Sequence, residues 1–180
     1  MSNDTNFLFY MIEYLFKESD SVEVKTGYLY HIKDEFFDIV NDEGLMTNHE
    51  RGKKRPTYFT IKDGDILWFI PLSSKVDKYQ KIVDRKVKKY GHCNSILIRN
   101  IKGVKNAILL QNAFPTLEKY IDHVHIVNGK PVKVIDSLCD EIKDNFEDML
   151  KMKEHGTNLF FTDIDRIKNM MEEELYTVNK

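Results

Sequence analysis

With 180 residues, 42% hydrophobic and 31% charged, the chain is long enough to bury the core of one domain and has the composition of an ordinary soluble globular protein. Eight Gly and four Pro argue against long linkers or low-complexity arms, and two cysteines, Cys93 and Cys139, exclude a disulfide scaffold or a cysteine-built metal centre. The net charge of −2 hides an uneven distribution: from Arg51 to Lys89 there are 12 Lys and Arg against 4 Asp and Glu, and elsewhere 15 against 25. A basic segment on an otherwise acidic chain is the pattern of a local phosphate-binding face, or of two solvated faces of opposite sign.

In chain order, residues 5–18 predict a helix with a wide apolar face. Its apolar run, residues 7–16, is too short for a membrane span, and no basic leader or small-residue cleavage site accompanies it. The expectation is a soluble, cytoplasmic protein with reduced thiols. A strand at 27–31 leads to a helix over 33–42, with Phe36, Phe37 and Val40 at helical spacing. The stretch NDEGLMTNHERGKK reads as a polar loop ending in cations. Residues 57–61 and 66–72 around Lys62-Asp63-Gly64-Asp65 give a strong hairpin signal. The following segment carries Lys78, Lys81, Arg85, Lys86, Lys88 and Lys89 every three or four residues, as a helix or extended loop with one basic side. A second hairpin is expected around Ile101-Lys102-Gly103 and a turn at Asn128-Gly129, followed by a strand at 131–134; residues 117–126 fit no single element. From about residue 135 the chain is helical. One face carries Ile142, Phe146, Met149 and Leu150 and ends at Gly156; another helix opens at Thr162 or Asp163 and carries Ile164, Ile167, Met171 and Leu175. The fold class is α+β: a small, twisted, partly closed antiparallel sheet with helices around it.

The chemistry concentrates in KKRPTYFTIKDGDILWFIPLSSK, residues 53–75. Ile66, Trp68 and Ile70 alternate with Leu67, Phe69 and Pro71, so both faces of this strand are apolar and it should be central. Pro71 cannot donate to a ladder and is expected to end it, releasing Ser73, Ser74 and Lys75 together. Two hydroxyls, their N–H groups and an ammonium in one turn suit a phosphate. Lys53, Lys54 and Arg55 precede the paired strand, so hairpin pairing should bring both basic ends together. Such a pocket has the parts for metal-free RNA cleavage by the ribose 2′-OH. Lys75 or Lys54 can act as base with a pKa lowered by neighbouring cations; Ser73, Ser74 and Arg55 can hold the anionic phosphorane; Tyr58 can position a base or the phosphate. The alternative is an ordinary strand exit beside a solvated loop. In Asp122-His123-Val124-His125 both imidazoles share a strand face; with no third ligand at suitable spacing, a hydrogen-bonded pair fits better than a metal, and the same pair can serve acid–base chemistry on RNA.

Basic-Pro-x-Tyr ahead of the hairpin, then WFIPLSSK, resembles the toxin components of type III toxin–antitoxin systems, the ToxN/AbiQ family. LLQNAFP (109–115), YIDHVHIVNGKPV (120–132) and FTDIDRI (161–167) are most similar to its TenpN-like branch. The resemblance spans roughly residues 28–175. It implies a Kid/MazF-like fold with an SH3-like partial barrel, and residues 27–180 as one toxin domain behind an extension at 1–26. It also implies a metal-independent, sequence-preferring endoribonuclease that needs no cofactor, gives 2′,3′-cyclic phosphate and 5′-hydroxyl ends, and serves phage defence by abortive infection. The implied partners are mRNA substrates and an RNA antitoxin of tandem-repeat pseudoknots, held in a protein–RNA hetero-oligomer. The family's hydroxyl pair falls on Ser73 and Ser74, its lysine on Lys75, and its basic residue before the hairpin on Lys54 or Arg55. Two departures are visible: Lys75 follows Ser74 with no proline between, and Phe36 stands where some relatives carry a tyrosine. With Lys53, the cations at 78, 81, 85, 86, 88 and 89 are expected to track RNA backbone. A catalytically silent RNA-binding protein with the same groove is the alternative function.

Overall fold

The computed structural model describes residues 24–50, 53–54 and 58–178, with the backbone alone at 50, 53, 54, 58 and 178. The expected N-terminal helix at 5–18 therefore lies outside the described residues. After β1 (Leu29–Ile32) and α1 (Asp34–Val40) come β2 (His49–Glu50), β3 (Lys53–Lys54), β4 (Tyr58–Asp63), β5 (Ile66–Ser73) and the helix α2 (Val76–Tyr90). Then follow β6 (Leu97–Ile101), β7 (Val104–Ile108), β8 (Phe114–Thr116), β9 (Ile121–Val124), β10 (Ile126–Val127) and β11 (Lys130–Pro131). Two helices, α3 (Asp136–Glu154) and α4 (Ile164–Val178), complete the chain.

One seven-stranded antiparallel sheet organises the fold, in the order β6-β7-β5-β4-β1-β9 with β8 also on β5. The pairing is an open path whose ends are β6 and β9, not a closed ring. β5 is central and buried along its whole length, as its two apolar faces require. Its partner strand makes an excursion: Leu72 faces Ile108 while Phe69 faces Phe114, and the extra residues loop out as a 3-10 turn over Leu110–Asn112. Hairpin turns follow local chemistry. Lys102-Gly103 and Asn128-Gly129 both take paired positive φ, 50° with 83° and 51° with 73°, the pattern of two-residue turns that match strand twist.

Helices cover both faces. Phe36 of α1 stacks on Phe114 at 5.0 Å and meets Tyr120; its complete burial explains a phenyl ring at that position. On the other face Trp68 packs on Phe146 of α3 at 5.2 Å, with Leu138, Ile142 and Met149 on the same stripe. Gly44, after α1, abuts the backbone of Phe161 and Thr162 so closely that a Cβ would lie 2.0 Å from the Phe161 carbonyl oxygen. Beside it Arg166 donates to the Val40 carbonyl and to Asp42 Oδ2 at 3.1 and 3.0 Å. Fully burying one large apolar side chain such as Phe36 or Phe146 stabilises the fold by about 1.5–3 kcal/mol. A smaller cluster under α2 holds Tyr79, Ile96, Ala107 and Leu109.

Three expectations are corrected. Pro71 does not end the ladder: it pairs with Tyr58, its carbonyl accepts from the Leu109 N–H at 2.9 Å, and Leu72 and Ser73 continue onto β7. A proline lacks a donor but keeps its acceptor, so the strand changes partner there. The polar loop before it contains the β2–β3 hairpin, His49 opposite Lys54 and Glu50 opposite Lys53. The strand expected at 131–134 is displaced to Lys130–Pro131, and beyond it Lys133 makes only an isolated bridge to Tyr28.

Candidate nucleic-acid interface

The end of β5 sorts its three polar residues by the pleat and by the new partner strand. Ser73 stays in the sheet and is buried, so it does not leave with the turn. Its Oγ accepts the Lys75 N–H at 3.2 Å and so shapes the exit. Ser74 and Lys75 are exposed. The Ser74 carbonyl accepts the Val76 N–H at 2.8 Å and the Lys75 carbonyl accepts that of Tyr79 at 3.3 Å, so the turn leads directly into α2. A hydroxyl and an ammonium thus stand at the N-terminus of a 15-residue helix, whose first N–H groups have no intrahelical acceptors. Asp77 in that first turn brings the opposing charge.

The basic hairpin emerges from the same end of the sheet. Tyr30, Tyr58 and Pro71 form one row across β1, β4 and β5. Two residues further along the parallel strands β1 and β5 lie Ile32 and Ser73. Asn48 donates to the Ile32 carbonyl at 3.0 Å and to Asp34 Oδ1 at 2.6 Å, and His49 Nε2 lies 2.7 Å from the same carboxylate oxygen. These bonds fasten β2 where β1 ends, two strand spacings, or about 10 Å, from the β5 exit. The backbone of Lys53 and Lys54 follows in β3. Tyr58 lies on β4 between the two, while Arg55 is outside the described residues.

Downstream, α2 is the helix that the basic spacing suggested. Lys78, Lys81, Arg85, Lys88 and Lys89 are exposed, and Lys78, Lys81, Ile82, Asp84 and Arg85 line a shallow open depression. Lys89 sits over the Tyr90 ring at 4.8 Å, and its interaction with the Tyr90 hydroxyl raises its pKa. Lys86 departs from this stripe. Its ammonium turns inward to donate to Ser95 Oγ at 2.6 Å and Gln111 Oε1 at 3.3 Å, because position 86 falls on the side of α2 that packs against the sheet.

The histidine pair is a trio. His31 on β1 lies directly opposite His123 on β9; their rings stack at 4.4 Å with 18° between planes. His31 Nε2 and His125 Nδ1 are 3.0 Å apart, one donating to the other. Burial first, and the nearby His123 second, push the His125 pKa down. Nitrogens thus engage one another and rings overlap. Among the described residues no group of three or more His, Cys, Asp or Glu has a metal-holding arrangement.

No family model matches the chain, and no curated protein matches it. Among solved structures it is similar to AbiQ, a lactococcal anti-phage endoribonuclease belonging to the type III toxin–antitoxin system. The TM-score is 0.63 at 14% identity, covering 85% of this chain and 99% of that one. The two share a fold. The mixed α+β architecture built on an antiparallel sheet is common to both, and in this chain it carries the Ser-Ser-Lys turn at the junction of sheet and helix.

The sequence reading missed His31. A lone histidine in the apolar strand LYHI carries no signal until β9 pairs with it. It also missed the separation of Ser73 from Ser74, which depends on pairing with β7. No helix among the described residues is long and apolar enough to cross a membrane.

Proposed function

We propose that this chain is an endoribonuclease toxin of a type III toxin–antitoxin system that cuts RNA at the β5–α2 turn. The observation that carries this reading is an exposed hydroxyl and ammonium, Ser74 and Lys75, at a helix N-terminus in a fold similar to that of AbiQ. Residues 27–180 form the toxin domain, and residues 1–26 extend it. The open sheet is read as an SH3-like partial barrel.

A scissile phosphate held at this turn meets the Ser74 hydroxyl, the Asp77 and Lys78 N–H groups in the first turn of α2 and the ammonium of whichever of Lys54 and Lys75 is not the base. Lys53, Lys54, Arg55 and Tyr58 are assigned to the same phosphate, the backbone of Lys53 and Lys54 running in β3 at this end of the sheet. A neutral amine, Lys54 or Lys75, removes the ribose 2′ proton. The 2′ oxygen then bonds to phosphorus, the bond from phosphorus to the 5′ oxygen breaks, and the departing 5′ oxygen takes a proton from the ammonium of the other lysine. Donors aimed at the phosphorane lower the barrier because its negative charge peaks there. Ser73 contributes by holding the turn through its bond to the Lys75 N–H. No metal takes part. The α2 cations hold the backbone of mRNA substrates and of an RNA antitoxin whose tandem repeats fold as pseudoknots, assembling with the toxin into a protein–RNA hetero-oligomer in the cytoplasm.

The test is digestion of total bacterial RNA by the purified full-length chain, with and without EDTA, followed by end-group mapping. Cleavage at a restricted set of sites, unaffected by EDTA and leaving cyclic phosphate and 5′-hydroxyl ends, is expected. Loss of cleavage in EDTA overturns the metal-free chemistry, and 5′-phosphate ends overturn attack by the 2′-OH. Absence of any cleavage overturns the enzymatic reading.

A further inference from the structure

Resting on the endoribonuclease reading, we propose that the solvent-facing side of His123 is a stacking subsite for one unpaired base of the bound RNA. Several observations make this ring a built platform. His123 sits directly across from His31 in the β1–β9 ladder, and side chains so paired project together from one face. The result is a near-parallel stack at 4.4 Å, so one face of the His123 ring is taken. The ring is nonetheless 55% exposed, and its Nδ1 lies 3.4 Å from the Asp122 carboxylate. His31 is in turn held by its bond to His125 and is itself buried. The support beneath His123 is therefore rigid, and the energy of stacking a base on it is not spent on ordering a loose side chain.

Position matters as much as shape. β9 is one end of the sheet path, so the platform lies at an open edge. His123 shares the row of His31, one residue from the row of Tyr30, Tyr58 and Pro71 that leads to the Ser74 turn. Three strand spacings separate it from β5, about 14 Å along a flat sheet and less along a curved one. A single RNA strand with its phosphate at Ser74 can lay a neighbouring base on β9. Every base has a π-face, so this subsite contributes affinity and register; recognition of unpaired bases by aromatic and imidazole rings is common among RNA-binding proteins.

The experiment measures cleavage of a single-stranded oligoribonucleotide carrying one mapped cut site, with abasic replacements stepped along it. His123→Ala is expected to raise KM about five- to 150-fold, leave kcat at saturating RNA within about twofold, and preserve the pH profile. His123→Phe, which keeps a ring without a titratable nitrogen, is expected to recover most of the wild-type KM. One abasic position should cost the wild type as much as His123→Ala does and cost the Ala variant nothing further. An unchanged KM in His123→Ala overturns the proposal. So does a Phe variant as impaired as Ala with one limb of the pH profile lost, which assigns proton transfer instead. Additivity at every abasic position also overturns it. If the wild-type chain neither binds nor cleaves RNA, the enzymatic reading falls and this inference with it; if cleavage stands and KM does not move, the inference alone falls.

Discussion

Replacing Ser74 by Ala tests the proposed chemistry with little structural disturbance. Ser74 is exposed, and the bond it makes at the helix entrance comes from its carbonyl, which accepts the Val76 N–H at 2.8 Å. Alanine keeps that bond. Folding stability should therefore change by less than about 0.5 kcal/mol, or roughly 2 °C in Tm for a chain of this size. If the hydroxyl donates to the phosphorane, its loss lowers kcat by about 100- to 1,000-fold, roughly 2.7–4 kcal/mol of barrier, with RNA binding nearly intact. Ser73→Ala supplies the contrast. Its buried Oγ accepts the Lys75 N–H, so removing it should cost about 1 kcal/mol of stability and about 2–4 °C in Tm, and reach catalysis only through the aim of the turn. Melting curves, single-turnover cleavage and filter binding on both variants decide the question. Wild-type cleavage by folded Ser74→Ala would refute the assignment, and RNA binding without cleavage by the wild type would identify a silent binder. A larger loss of kcat in Ser73→Ala than in Ser74→Ala would move the anion contact to the buried hydroxyl.

Neutralising Lys81 and Arg85 together should weaken RNA binding and reduce the slope of log affinity against log salt by about 1.4, two single-strand phosphate contacts; an unchanged slope removes α2 from the interface. Lys86→Met should instead leave that slope alone and cost stability of about 1–3 kcal/mol, since Ser95 and Gln111 lose the ammonium they accept from. Gly44→Ala forces a Cβ into the Phe161 carbonyl and should destabilise by about 1–3 kcal/mol, read as a lower Tm with cleavage retained well below it. His125 has a folded pKa below its ordinary value of 6.5, so the folded state binds protons less readily than the unfolded one. The associated stability is complete above that value and is lost as pH falls from it through the folded pKa. Tm should drop across that window in the wild type and less in His125→Gln; equal slopes would remove the imidazole cluster as the cause.

Features governed by neighbours along the chain were legible in the sequence. The paired positive-φ turns at Lys102-Gly103 and Asn128-Gly129, the all-apolar alternation of β5, the basic periodicity of α2 and the stop at Gly156 rest on backbone sterics and side-chain period. The motif WFIPLSSK could therefore be marked as the place where a sheet hands over to a polar turn. What the three polar residues do was decided by the fold. Pairing of Leu72 and Ser73 with β7 buried one hydroxyl and exposed the other. Packing of α2 on the sheet drew Lys86 away from the cationic stripe toward Ser95 and Gln111. The ladder from β1 to β9 assembled three imidazoles from positions 94 residues apart at the extremes. Such meetings have no local signature, because a one-residue change of register would leave every segment's own pattern intact while turning its side chains to the opposite face. The physics of short range thus names the parts of this protein, and the register between distant strands determines which of them reach its surface together.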